Sequence, residues 1–276
     1  MGSGGRDGVA VGGSGGDASA TGGGGTNDGG EGDGTGSSFA DADANGADGD
    51  ALDGACVPHP LALLLMVDST GSMATVDPGQ TLSRWEIITN GLPAFASSPE
   101  NAGLFVGLDF FPEVLTGMPA ALQCDVTAYE SPDVPIAALP GVNNEQVEAL
   151  TAAIANRVVG GGTPTTPALQ GAIASAGAWR TAHPEQDVFV VFLTDGIPNG
   201  CSSTVATAAT AAAAGVSGDP SIKTYVVGVG PEVVANLDPI AAAGGGSPKA
   251  TALTMGGPAA LTDALNAIRA SVSGCH

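Results

Sequence analysis

The sequence predicts an α/β domain with a doubly wound, mostly parallel central sheet, helices on both of its faces, and a disordered tail in front. Three observations lead there. Short continuous apolar runs, above all Leu61–Val67 and Val188–Leu193, have the composition of strands buried on both faces. Segments with helical spacing separate these runs, as the crossovers of a parallel sheet require. Residues 1–55 are different: they hold 20 of the 44 glycines and ten acidic side chains against the single Arg6, with Phe39 the sole aromatic. So little apolar surface cannot offset the entropy of ordering.

The elements follow in order from Cys56. Leu61–Val67 is the first strand. Leu82–Ala96 has apolar residues at 82, 85, 88, 92 and 95, a helical period that Pro93 should shorten or kink. Leu104–Phe111 reads as a second strand ended by Pro112, and residues 112–133 form a long loop containing Cys124. Val134–Leu139 is a short edge strand carrying Pro135. Asn144–Ala155 is helical, and a glycine-rich turn, VGGGTPTTP, leads into a helix over Ala168–Thr181. Val188–Leu193 is the most strand-like run and ends in TDG. Ser203–Ala214 is an alanine-rich helix, Lys223–Val229 another buried strand, and Pro231–Ala243 and Pro258–Val272 are helices flanking a weak strand near Lys249–Leu253. Trp85 and Trp179 fall at core-facing positions of their helices. Phe110–Phe111–Pro112 reads as strand packing ahead of a binding rim.

Charge narrows the function classes. Of the formal charge of −21, the tail carries −9 and residues 56–276 the remaining −12. That field repels phosphate backbones and anionic membranes and concentrates cations, so nucleic acid is not an expected partner. No apolar run is long enough to span a bilayer. Neither GxGxxG nor GK[ST] occurs, and Ser69 and Ser72 are not in a GxSxG turn, so a nucleotide enzyme or a serine hydrolase has no motif to rest on. His59, His183 and His276 stand isolated at segment ends and read as exposed polar residues.

In a parallel sheet the binding site lies beyond the carboxyl ends of the strands. The first of those ends reads DSTGSM. Asp68, Thr70 and Ser72 alternate there, and in an extended turn residues at i, i+2 and i+4 point the same way, with Gly71 letting the backbone bend. Asp195 ends the later VFVVFL strand at the same edge, and Thr163 stands in the glycine-rich turn. Two carboxylates and three hydroxyls, without nitrogen or sulfur, suit a hard divalent cation: Mg²⁺ first, Mn²⁺ or Ca²⁺ otherwise. Taken singly, each segment is also an ordinary helix cap or turn.

DSTGSM, GGGTPT and FLTDG, in this order and at these strand ends, resemble the three segments of the metal-ion-dependent adhesion site of the von Willebrand factor A (VWA) domain family. The resemblance covers roughly residues 57–273. It implies a Rossmann-like sheet in a domain spanning 56–276 and places Asp68, Thr70, Ser72, Thr163 and Asp195 as the metal residues, with Thr70 where the family usually has serine. It also implies a binding domain rather than an enzyme. A protein or peptide partner would present an acidic side chain to complete the metal shell, and the last helix, Pro258–Val272, is the element the fold shifts between ligand states. Two other readings stand beside it: an intracellular adaptor for an ATPase, and a metal-assisted phosphohydrolase using Asp68 and Asp195.

The four cysteines form no CxxC pair, which speaks against zinc, and their even number suits either two disulfides or four buried thiols. The topology implied by the resemblance favours Cys124–Cys201 at the metal edge and Cys56–Cys275 at the opposite one. Such bridges imply an extracytoplasmic setting, although the N-terminus has no secretory pattern; free thiols would favour the cytoplasm. Asp41–Asp53 (DADANGADGDALD) has calcium-loop offsets but Leu52 at the twelfth position, and reads as a solvated spacer within a surface tether.

Overall fold

A computed structural model describes residues 59–113, 120–139, 145–231, 234–246, 251–253 and 257–274. Compactness divides the chain into Met1–Asp53 and Gly54–His276, and the fold below is that of the second unit. The expected tail, its Asp41–Asp53 segment and the expected Cys56–Cys275 bridge lie outside the described residues.

The elements run β1 (Leu61–Asp68), α1 (Arg84–Ser97), β2 (Phe105–Phe111), β3 (Val134–Ala138), α2 (Glu145–Asn156), α3 (Thr165–Ala182), β4 (Asp187–Thr194), α4 (Val205–Ser217), β5 (Lys223–Val229), α5 (Val234–Ala243), β6 (Thr251–Leu253) and α6 (Gly257–Val272). The sheet order is β3-β2-β1-β4-β5-β6, with every pairing parallel except the antiparallel edge strand β3.

Alternation along the central strands builds two cores. Leu61, Leu63, Leu65 and Val67 of β1 face one side, with Phe189, Val191 and Leu193 of β4, against α1, α2 and α6. Ala62, Leu64 and Met66 face the other, with Val188, Val190 and Phe192, against α3, α4 and α5. All eight residues of β1 are buried, so the strand reads as one apolar run. The second layer is built largely from alanines (Ala168, Ala172, Ala176, Ala208, Ala211, Ala212), which let its helices lie close to the sheet.

Several boundaries depart from the sequence expectation for identifiable reasons. Helix α1 begins at Arg84 because Ser83 and Glu86 form a reciprocal capping box. It runs through Pro93 to Ser97, since Leu92, Phe95 and Ala96 on both sides of the proline are buried. Helix α3 starts at Thr165, three residues early: Pro167 lies in the first turn, where a missing N–H breaks no intrahelical bond. The 112–133 loop contains two short 3₁₀ turns, Ala120–Cys124 and Val126–Tyr129. Tyr129 is fully buried there, and its hydroxyl donates to the Gln123 carbonyl. Phe110 and Phe111 are fully buried, which makes them packing residues and not a binding rim. Trp85 and Trp179 are only partly buried, each packed against one of the two cores.

At the β3 edge the ladder shifts register between Val106 and Leu108. Gly107 permits this close approach, because a Cβ there would lie 2.6 Å from Ile136 Cγ1. Gln146 of α2 donates its Nε2 to the carbonyls of Val106 and Pro135. The carboxyl ends of β1, β2, β4 and β5 share one edge, and that edge carries the candidate site.

Candidate metal centre

Asp68 closes β1 with its carboxylate fully buried. Its Oδ1 accepts the Thr70 N–H at 2.7 Å, and its Oδ2 accepts the Thr194 hydroxyl at 2.6 Å. The segment that follows is not the extended turn expected from the alternation. Gly71–Ala74 is a 3₁₀ turn starting after Thr70, and hydrogen bonds bring the oxygens together. Thr70 Oγ1 and Ser72 Oγ are 3.0 Å apart, and Ser72 Oγ donates to Asp195 Oδ1 at 2.7 Å.

Thr163 arrives from the glycine-rich turn before α3. Its N–H donates to Asn199 Oδ1, and its carbonyl accepts from the N–H groups of Asn199 and Gly200. It borders Gly196 together with Asp68: a Cβ on Gly196 would stand 3.3 Å from Thr163 Oγ1 and 3.8 Å from Asp68 Oδ2. Glycine therefore keeps a space between these oxygens open. Backbone bonds stitch the two loops together, Gly160 N–H to Ser69 O and Gly71 N–H to Gly161 O. On the other flank, both the N–H and the hydroxyl of Ser69 donate to the Phe111 carbonyl. Arg157 Nε donates to Ser69 Oγ, and Arg157 Nη2 to the Pro112 carbonyl.

The electrostatics centre on a residue the sequence reading missed. Arg84, the first residue of α1, donates Nη1 to Asp195 Oδ2 at 2.9 Å. Its Nε and Nη2 make a forked pair with Asp77, at 3.0 and 2.6 Å. The Asp195 side chain is 0% exposed, so Arg84 neutralises a charge that water does not reach. The hydrogen bonds that Arg84 donates to Asp77 first, and its Asp195 contact, raise the guanidinium pKa against the opposing effect of burial, so it stays charged. Gly230, at φ +118, leaves room for it: a Cβ there would lie 2.9 Å from Arg84 Cζ. Among the described residues no cation pairs with Asp68. Burial first, and the charge of Asp195 next, push its carboxyl up to about 7.

Cys124 and Cys201 are bonded, with Cα atoms 5.2 Å apart, which ties the 112–133 loop to the segment after Asp195. Thr194, Asn199, Asp77 and Arg84 complete the site's surroundings. Of these, Thr194 stands in the FLTDG segment, and Arg84 is one of just seven basic residues in a chain with 28 acidic ones.

The residues fit a divalent cation. The donors are oxygens throughout, two of them carboxylates, and Gly196 holds open the space beside Asp68 and Thr163.

No protein-family profile and no curated protein matches the chain. Solved structures do resemble it. The pilus adhesin SpaC from Lactobacillus rhamnosus GG is 17% identical with a TM-score of 0.50, over 78% of this chain and 30% of that one. This chain thus spans less than a third of the adhesin's length. The SpRpn10 VWA domain is 12% identical, also with a TM-score of 0.50, over 76% of this chain and 95% of that one. The chain has the VWA fold.

Proposed function

We propose that this chain is a divalent-cation-dependent binding domain of VWA type. Asp68, Thr70, Ser72, Thr163 and Asp195 would hold the cation, with Mg²⁺ the first choice. The cluster of oxygens at one sheet edge carries the reading. When bound, the cation would offer a coordination position to a carboxylate on a protein or peptide partner. The chain's own residues do the positioning: Thr70 N–H and Thr194 Oγ1 orient Asp68, while Ser72 and Arg84 orient Asp195. No catalytic step is assigned to them.

The setting proposed is extracytoplasmic, with residues 1–55 as an acidic tether and residues 56–276 as the domain. The Cys124–Cys201 bond supports an oxidising compartment over a cytoplasmic adaptor role. Among the described residues no helix is long and apolar enough to cross a membrane.

The test is thermal. A ligand that binds only the folded state stabilises it by about 2.7 kcal/mol at a hundredfold excess over Kd. In a domain of this size that raises the Tm by about 5–10 °C. Mg²⁺ should produce this rise in the parent protein, and Asp195→Ala should abolish it. Thr163→Val, which removes one hydroxyl at nearly constant volume, should diminish it. A rise of equal size in both variants would place the cation elsewhere.

A further inference from the structure

A second group of acids lies outside this site. Asp109 is on β2, Glu113 follows Pro112, and Asp133 immediately precedes β3. One carboxylate oxygen from each lies within 4.8 Å of the other two. Asp109 is 1% exposed. Its Oδ1 accepts the Phe110 N–H at 2.9 Å, while its Oδ2 is buried with no hydrogen-bond partner. A buried carboxylate oxygen without a donor is costly, and native structures supply it with a proton donor, a water or an ion.

Arg157 is the cation at hand, and it does not fill this role. Its Nη1 lies 3.6 Å from Asp133 Oδ2, but its Nε and Nη2 are committed to Ser69 and Pro112. Its guanidinium also sits over the Phe110 ring, 4.9 Å from the centroid. Arg157 is thus shared with Ser69 and Pro112 and leaves Asp109 Oδ2 without a donor.

We propose that Asp109, Glu113 and Asp133 form a second cation site, for Ca²⁺. Oxygens on one Ca²⁺, at 2.3–2.6 Å each, stand at most about 5 Å apart, so the observed spacing fits one ion. Mg²⁺ would need all three within about 4.2 Å of one another in near-octahedral geometry, a tighter demand than Ca²⁺ makes. Asp133, 41% exposed, gives the ion its route from solvent, and water completes the shell. The competing state is a proton on Asp109, whose carboxyl burial, above all, pushes up to about 8. The site is independent of the reading of Asp68 and Asp195.

Tyr129 supplies a probe, because its hydroxyl lies 3.2 Å from the Glu113 N–H and can sensitise a nearby lanthanide. Tb³⁺ added to the metal-free full chain should give saturable aromatic-sensitised emission that Ca²⁺ displaces. Affinity should fall at least about tenfold in Asp109→Asn and in Asp133→Asn, and stay unchanged in Asp195→Ala. Metal-free melting curves report that each variant is folded, and Asp133 at the exposed end is the gentler substitution. Emission with parental affinity in a folded Asp133→Asn or Asp109→Asn, or emission removed by Asp195→Ala alone, would overturn the site.

Discussion

Arg84→Met is the substitution that probes the centre most directly. Methionine keeps the apolar stem and removes the guanidinium, leaving Asp195 with no counter-charge at 0% side-chain exposure and Asp77 with none at 11%. At an effective dielectric of about 20, a unit pair at the observed 2.9 Å attracts by about 6 kcal/mol before desolvation. Desolvation of both partners offsets part of that. Removing one partner of a buried pair costs about 3–5 kcal/mol in practice, because the other charge is stranded. The expected loss in EDTA is therefore about 4 kcal/mol, or a Tm lowered by about 10 °C. Saturating Mg²⁺ should shrink the loss, since Asp195 regains a cation through the metal. Urea denaturation of parent and variant, each with EDTA and with Mg²⁺, gives the four stabilities needed. A metal-free loss below about 1 kcal/mol would mean the pair does not hold Asp195. A loss identical with and without Mg²⁺ would mean that Asp195 is not shared between Arg84 and a metal.

Three further outcomes test the scaffold. Cys124→Ser or Cys201→Ser opens a bridge spanning 77 residues, and loop entropy sets the cost at about 4 kcal/mol, read as a lowered urea midpoint matched by the parent in dithiothreitol. In α3, Gly171→Ala puts a Cβ 2.4 Å from Tyr129 Cβ and 2.7 Å from the Val126 carbonyl and should destabilise by about 3 kcal/mol. Gly177→Ala in the same helix meets nothing closer than 4.0 Å and should stabilise by up to about 1 kcal/mol.

Strands buried on both faces were the most legible features. Leu61–Val67 and Val188–Leu193 announce β1 and β4 because every position faces one of the two cores. The start of α3 was hidden because Thr165–Pro167 was read as part of the glycine-rich turn VGGGTPTTP, whereas a first helical turn tolerates proline. At the candidate site, Asp68, Thr70, Ser72 and Asp195 were visible because they lie at or within four residues of the ends of β1 and β4. The geometry between them was not: the 3₁₀ turn and the Ser72–Asp195 bond are tertiary. Arg84 lies 111 positions from Asp195 and reaches it across the edge, so no local pattern announces it. Asp109 sat inside GLDFF and read as one more strand residue; only the return of the chain at Asp133 makes it part of a cluster.

The edge at β3 carries a consequence for how copies of this chain meet. An open sheet edge is a template on which another chain can add a strand. Here Pro135 offers no N–H, and the Pro135 carbonyl is already taken by Gln146. The missing N–H interrupts the row of donors that an added strand would need, which weakens backbone-to-backbone pairing between copies at Pro135.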